Sequence, residues 1–242
     1  CIHIYALSLV HVTVCSIRQC KFKCSMRPVL ISRLGWSLPG ITILLSSFIH
    51  LVSGDARDFP FFISEADHPG IQRWVFTLGF TLNGMVLMYY SWLLFTANRE
   101  RARWYWMHIS LMFGIWVGAN LCVLSFMDMY DHIEIHVAAA LNIFYFGLGW
   151  CVVTHIALKN ASPTGKKIRY FSVCTAATGL FGLVYSINLG LQKYPEFVDG
   201  DWDMAKMQPY IDWAAPMEYL LAFSFIATLY SFETELNGDE EE

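Results

Sequence analysis

Glu218 stands seven residues into the last of six long apolar segments, roughly 10 Å below the surface at 1.5 Å of rise per residue. An ionised carboxylate at that depth is costly unless it is paired, and ionisable groups inside a bilayer are functional suspects by default. His136 enters the fourth apolar segment from the same side. Asn83, Asn120, Asn142 and Asn188 fall in the corresponding halves of their segments, while the opposite halves carry only His108 and His155 near their ends. Two uses fit this asymmetry. The polar groups either line a cavity for a lipid head or small polar solute, or they hydrogen-bond between helices, at under about 1 kcal/mol per contact on average.

A second constellation is Asp128, Asp131, His132, Glu134 and His136. His132 and His136 are four apart and share one helical face, a workable spacing for a metal ion. A zinc hydrolase would need a third ligand and a polarised water. The order here is H-x-E-x-H rather than H-E-x-x-H, and acidic residues at a membrane edge are ordinarily solvated, so no metal or other cofactor is expected.

The elements that must position these groups are helices. The chain of 242 residues is 56% hydrophobic and only 15% charged, against about a quarter charged for a soluble domain. The apolar residues gather in six blocks, Leu34–Val52, Trp74–Phe95, Trp104–Phe126, Ile133–Leu158, Tyr170–Leu191 and Ile211–Phe232. Each is long enough to cross about 30 Å of hydrocarbon, which takes roughly 20 helical residues. The expected fold is therefore all-α, an integral membrane bundle of six transmembrane helices over residues 34–232. It is flanked by an N-terminal extension, 1–33, and an acidic tail, 233–242. Residues 1–25 read as an extension ahead of Met26, or as an interfacial or partial helix.

The connections alternate in sign. Arg99, Arg101 and Arg103, then Lys159, Lys166, Lys167 and Arg169, join Arg18, Lys21, Lys23, Arg27 and Arg33 on one side. Asp55, Asp58, Glu65 and Asp67, then Asp128, Asp131 and Glu134, then Glu196 through Asp212 occupy the other. Positive loops stay in the cytoplasm, so both termini are expected there and the acidic loops in a lumen or outside the cell. Gly114 and Gly118 form a G-x-x-x-G that allows close helix approach, and Pro216 should bend the last helix before Glu218. Cys122, Cys151 and Cys174 read as small packing residues. Cys20 and Cys24 are either inert or acylated, and the sequon at Asn160 is expected to be unused.

The first acidic loop runs Pro60-Phe61-Phe62-Ile63-Ser64-Glu65-Ala66-Asp67, turns at Pro69-Gly70, and meets Arg73-Trp74-Val75-Phe76. This pattern resembles the family that joins the damage-regulated autophagy modulators (DRAM), the yeast Sfk-type proteins and the GPI-anchor remodelling proteins. Those proteins carry Pro-x-Ile-Ser-(Asp/Glu), then Pro, a polar residue and an aromatic. Here one extra residue separates Pro60 from Ile63, and Ala66-Asp67 replaces the usual Thr-Gly. His136 at the fourth span and Glu218-Tyr219 in the last also match. Ala222-Phe223-Ser224-Phe225 is closest to the autophagy-modulator branch.

The resemblance covers residues 34–236 and implies a non-enzymatic, multi-pass endomembrane regulator of autophagy or lysosomal function. The alternative within the family is a GPI-anchor lipid-remodelling factor of the Golgi or ER, catalytic or accessory. Pro60, Ser64, Glu65, Pro69, Arg73, His136 and Glu218 are the matching positions, and none arrives with an established catalytic role. Membrane lipids and protein partners are expected; nucleic acid is not. In an acidic lumen, protonated His136 would pair with Glu218 if their helices are adjacent. His132, His136 and Glu218 within reach of one metal would favour a hydrolase. A transporter is disfavoured by the absence of repeats and of a broken helix pair. A retinal receptor is disfavoured by the lack of Lys in the last span.

Overall fold

A computed structural model describes residues 2–100, 102–158, 162–195 and 204–237, with side chains from Pro28 onward except those of Met204, Thr234 and Asn237. Cys20, Cys24, Asn160 and Asp239–Glu242 therefore lie outside the described side chains. The described elements are helical throughout: α1 Ile2–Ser53, a 3-10 turn Ile63–Asp67, α2 Ile71–Asn98, α3 Trp104–Phe126, α4 Ile133–Ala157, α5 Pro163–Lys193, α6 Met204–Ser231 and the short α7 Glu233–Asn237. Five helices are long and apolar enough to cross a membrane: Pro28–Ser53 of α1, and α2 to α5. α6 has the length, with 28 residues, but Asp212, Pro216 and Glu218 dilute its apolar run. The ends of α2, α5 and α6 extend past the apolar blocks because amphipathic residues such as Gln72, Lys193 and Gln208 continue the helical turn beyond them. At the start of α5, Ser162 is the N-cap, accepting the Gly165 N–H at 3.0 Å, and Pro163 follows in the first turn where its missing N–H costs nothing.

The helices form a ring. α2 packs along α3, α3 along α4 and α5 along α6, while α1 closes against α2 and α6; the α4–α5 seam is sparse. Close approach at α2–α3 depends on glycine. A Cβ on Gly118 would lie 2.6 Å from the Gly84 carbonyl oxygen, so the G-x-x-x-G is used inside the bundle. Large apolar side chains such as Phe48, Leu82, Ile115 and Phe181 point outward, a surface suited to lipid.

The charges sort to opposite ends of this ring. At the basic end Arg169 is fully buried. Its Nη1 donates to the Ser231 carbonyl at 3.0 Å and its Nη2 to Glu235 at 2.7 Å, and its guanidinium lies 4.7 Å from the Phe232 ring centroid. Arg33 reaches Glu233 at 3.4 Å. The first turn of the expected acidic tail is thus a helix tied down to α5 and α1, with Leu236 buried beneath it.

Candidate functional site: an apolar cavity closed by the first loop

Inside the ring is a cavity of about 720 Å³. That falls in the range of ligand pockets, about 300–1,000 Å³. It runs along α4 from Glu134 to Cys151, about 25 Å at the helical rise, which exceeds one leaflet of hydrocarbon at about 15 Å. Its walls are almost wholly apolar, with Phe80, Leu121, Phe144, Ile187, Ala222 and Phe225 typical of them. The polar lining gathers toward the acidic end: Ser64, Glu134, His136, Asn188 and Glu218, with Asn83 deeper. Val137, Leu141 and Tyr145 of α4 line the cavity and are exposed, and α4 meets α5 only sparsely, so the cavity opens sideways at this seam.

The first loop folds over the acidic end as a lid. Glu218 holds it from below: its Oε2 accepts the Ile63 N–H at 2.8 Å, at the first residue of the 3-10 turn. This is a helix-start donor with no partner inside its own turn, and a buried carboxylate is a strong acceptor for it. Glu65 holds the same turn from within, its Oε1 accepting the Phe62 N–H at 2.7 Å. The Arg57 guanidinium then grips both carboxylate oxygens of Glu65, with Nη2 to Oε1 at 2.6 Å, and also the Gln208 side-chain oxygen on α6. Tyr130 donates to the Glu65 carbonyl at 3.0 Å. Arg73, at the start of α2, pairs with Asp128 beyond α3. Asp128 Oδ1 also accepts the Tyr130 and Asp131 N–H groups, at 2.9 and 2.7 Å. Although burial pushes the Asp128 carboxyl upward, the Asp131 N–H, Arg73 and the Tyr130 N–H more than offset it and hold it below the ordinary range. Asp67, at the end of the turn, is the opposite case. It is 1% exposed, and neither of its carboxylate oxygens has a hydrogen-bond partner among the described residues.

A family model described as the Frag1/DRAM/Sfk1/Cwh43P N-terminal domain matches residues 34–238. The chain belongs to this family. The match takes in the whole lining of the cavity, from Gly35 to Leu229, and the loop that closes it. No curated protein and no solved structure matches the chain.

In this Frag1/DRAM/Sfk1/Cwh43P member the residues singled out from sequence separate into two groups. Glu218, His136, Asn83 and Asn188 meet around one cavity. Asn120 and Asn142 do not: Asn142 caps the Ala138 carbonyl at 2.8 Å and accepts from Trp116 at 3.1 Å, and Asn120 donates to the Trp116 carbonyl at 2.9 Å, all on the α3–α4 surface. Those two serve local helix and interhelical bonds, since their side chains lie on the far faces of α3 and α4. His136 and Glu218 form no ion pair; the His136 Nδ1 is 2.6 Å from the Met127 carbonyl instead. His132 is exposed while His136 is buried, so the pair diverges rather than sharing one site. Among the described residues no three His, Cys, Asp or Glu side chains gather within reach of one metal. Of the loop motif, Ser64 lines the cavity, while Glu65 and Arg73 hold the lid in place. Pro60 offers its carbonyl to Gln208 Nε2 at 3.5 Å. Pro69 precedes Gly70, whose φ of 146° leads into α2.

Two contributors escaped the sequence reading, Arg57 and Gln208, and Asp67 read only as one more acidic loop charge although it is buried. Arg57 had a signal, since it is a cation inside an otherwise acidic loop. Gln208 had none, because it acts across 151 residues of chain.

Proposed function

We propose that this protein is a six-span endomembrane regulator of the DRAM type, with both termini cytoplasmic, that modulates autophagy or lysosomal function by holding a membrane lipid in its central cavity. The observation that carries this reading is the cavity itself: an apolar chamber about 25 Å long, open sideways to the bilayer, with its polar groups gathered under the acidic loop. Such a chamber suits a lipid tail, with the head at the polar end. α6 is the sixth span in this reading, its Glu218 tolerated because it faces the cavity and the lid. In this reading the acidic end faces the lumen and the basic connections stay in the cytoplasm. Glu218 links the two parts, because one carboxylate both borders the chamber and anchors the lid. Occupation of the chamber would therefore be felt at the lumenal surface, where a partner protein could read it.

The test is to locate a tagged chain against lysosomal and Golgi markers and to measure autophagic flux after its depletion. Residence in lysosomal membranes with altered flux supports the proposal. Golgi residence, unchanged flux and altered surface display of GPI-anchored proteins would overturn it in favour of lipid remodelling.

A further inference from the structure

We infer that the cavity selects a membrane lipid whose head carries an ammonium group, admitted sideways between α4 and α5. The inference deepens the lipid-binding reading above and rests on it.

The first observation is the charge of the lining. Two carboxylates, Glu134 and Glu218, border the cavity, and no Lys or Arg does so among the described residues. The nearby cations are already engaged, Arg57 by Glu65 and Gln208, and Arg73 by Asp128. A head with phosphate and no amine would meet two carboxylates and no Lys or Arg, with His136 on the lining already engaged through Nδ1 by the Met127 carbonyl. A head that also carries an ammonium would give both carboxylates a donor.

The second observation is an acceptor left over. Glu218 is 8% exposed, and its Oε2 takes the Ile63 N–H. Its Oε1 accepts no hydrogen bond from any described residue. A carboxylate this far from bulk water gains most from a charged donor brought in by a ligand, because the low dielectric strengthens the pairing.

The third observation is the route. Val137 and Leu141 of α4 line the cavity and are exposed, and Val184 and Ile187 of α5 line it as well. A tail passing between them never leaves an apolar environment. Glu134 and Asn188, both exposed, stand at the acidic end of this gap, where the head of a lipid in the same leaflet would arrive.

The test uses the full chain, purified in mild detergent and offered equal amounts of phosphatidylethanolamine and phosphatidylglycerol with identical tails. Native mass spectrometry then counts the retained lipid. Phosphatidylethanolamine should be retained about tenfold over phosphatidylglycerol, which converts to about 1.4 kcal/mol. Glu134→Gln, at an exposed position, should lower that ratio, and Glu134→Gln with Glu218→Gln should abolish it. Gln at 218 still accepts the Ile63 N–H, and an unchanged unfolding temperature checks that the fold survives. Val184→Trp, on the α5 wall of the cavity, should narrow it and slow lipid exchange. Equal retention of the two lipids, a preference for phosphatidylglycerol, or an unchanged ratio in the double variant would overturn the headgroup inference while leaving the lipid-binding reading intact. Retention of neither lipid would overturn that reading too.

Discussion

Replacing Asp67 with Asn should weaken the acid preference of this bundle's stability. Asp67 is 1% exposed with both carboxylate oxygens unpartnered among the described residues. Burial pushes its carboxyl from 3.8 up to about 7; Arg73 opposes the rise and Asp128 adds to it. The folded state therefore keeps a proton over a pH range where the unfolded chain has released it. The stabilisation is complete below pH 3.8, declines as pH rises from there to about 7, and is then lost. At about 1.36 kcal/mol per pH unit the full span is on the order of 4 kcal/mol, of which about 2.5 kcal/mol falls between about pH 5 and about pH 7.5. Asp128 and Asp55 are shifted downward, so they titrate below this window. The histidines are common to both proteins and cancel in the comparison. Thermal unfolding followed by tryptophan fluorescence in detergent, at about pH 5 and about pH 7.5, reads the effect. The parent protein should lose about 5–10 °C more than Asp67→Asn on going to the higher pH, at about 2–4 °C per kcal/mol for a chain of this size. Equal pH dependence in the two proteins would refute the reasoning, because it would mean that the Asp67 carboxyl is solvated or paired.

Other consequences can be checked with the same unfolding assay. Arg169→Ala should cost about 3–5 kcal/mol, since it removes a fully buried guanidinium that donates to both the Ser231 carbonyl and the Glu235 carboxylate. Increased protease access to the C-terminal segment would report the same loss. Glu218→Ala should cost about 1–3 kcal/mol by orphaning the Ile63 N–H, whereas Glu218→Gln should recover most of it. Gly118→Leu should prevent α2 and α3 from closing, because even a Cβ there meets the Gly84 carbonyl at 2.6 Å; yield of folded protein is the readout.

The helices were the most legible part of the fold. α3 spans Trp104–Phe126 as the apolar run alone marked it, because lipid enforces a length that sequence displays directly. α6 is where that signal weakens. It spends Glu218 on the lid and cavity, and Asp212, Pro216 and Glu218 together dilute the hydropathy that would announce a span. The importance of Glu218 was readable from its depth, but its partner was not. A backbone N–H at Ile63 has no side-chain signature, and 155 residues separate the two. Asn120 and Asn142 misled because depth along a helix says nothing about which face a side chain takes. α3 and α4 are apolar all round, so periodicity could not orient them. Arg169 read as one more topological charge; its burial follows from the docking of α7, which a short polar segment does not advertise.

The most direct measurement is to bring up the protein in membranes containing a lipid with a photoactivatable group on its tail, irradiate, and map the adducts by peptide mass spectrometry. Cavity occupancy predicts adducts on inward-facing residues such as Leu121, Ala222 and Phe225, and their loss in Val184→Trp. Labelling confined to outward-facing residues such as Leu82, Ile115 and Phe181 would contradict it, and the chamber would then be only a space between helices.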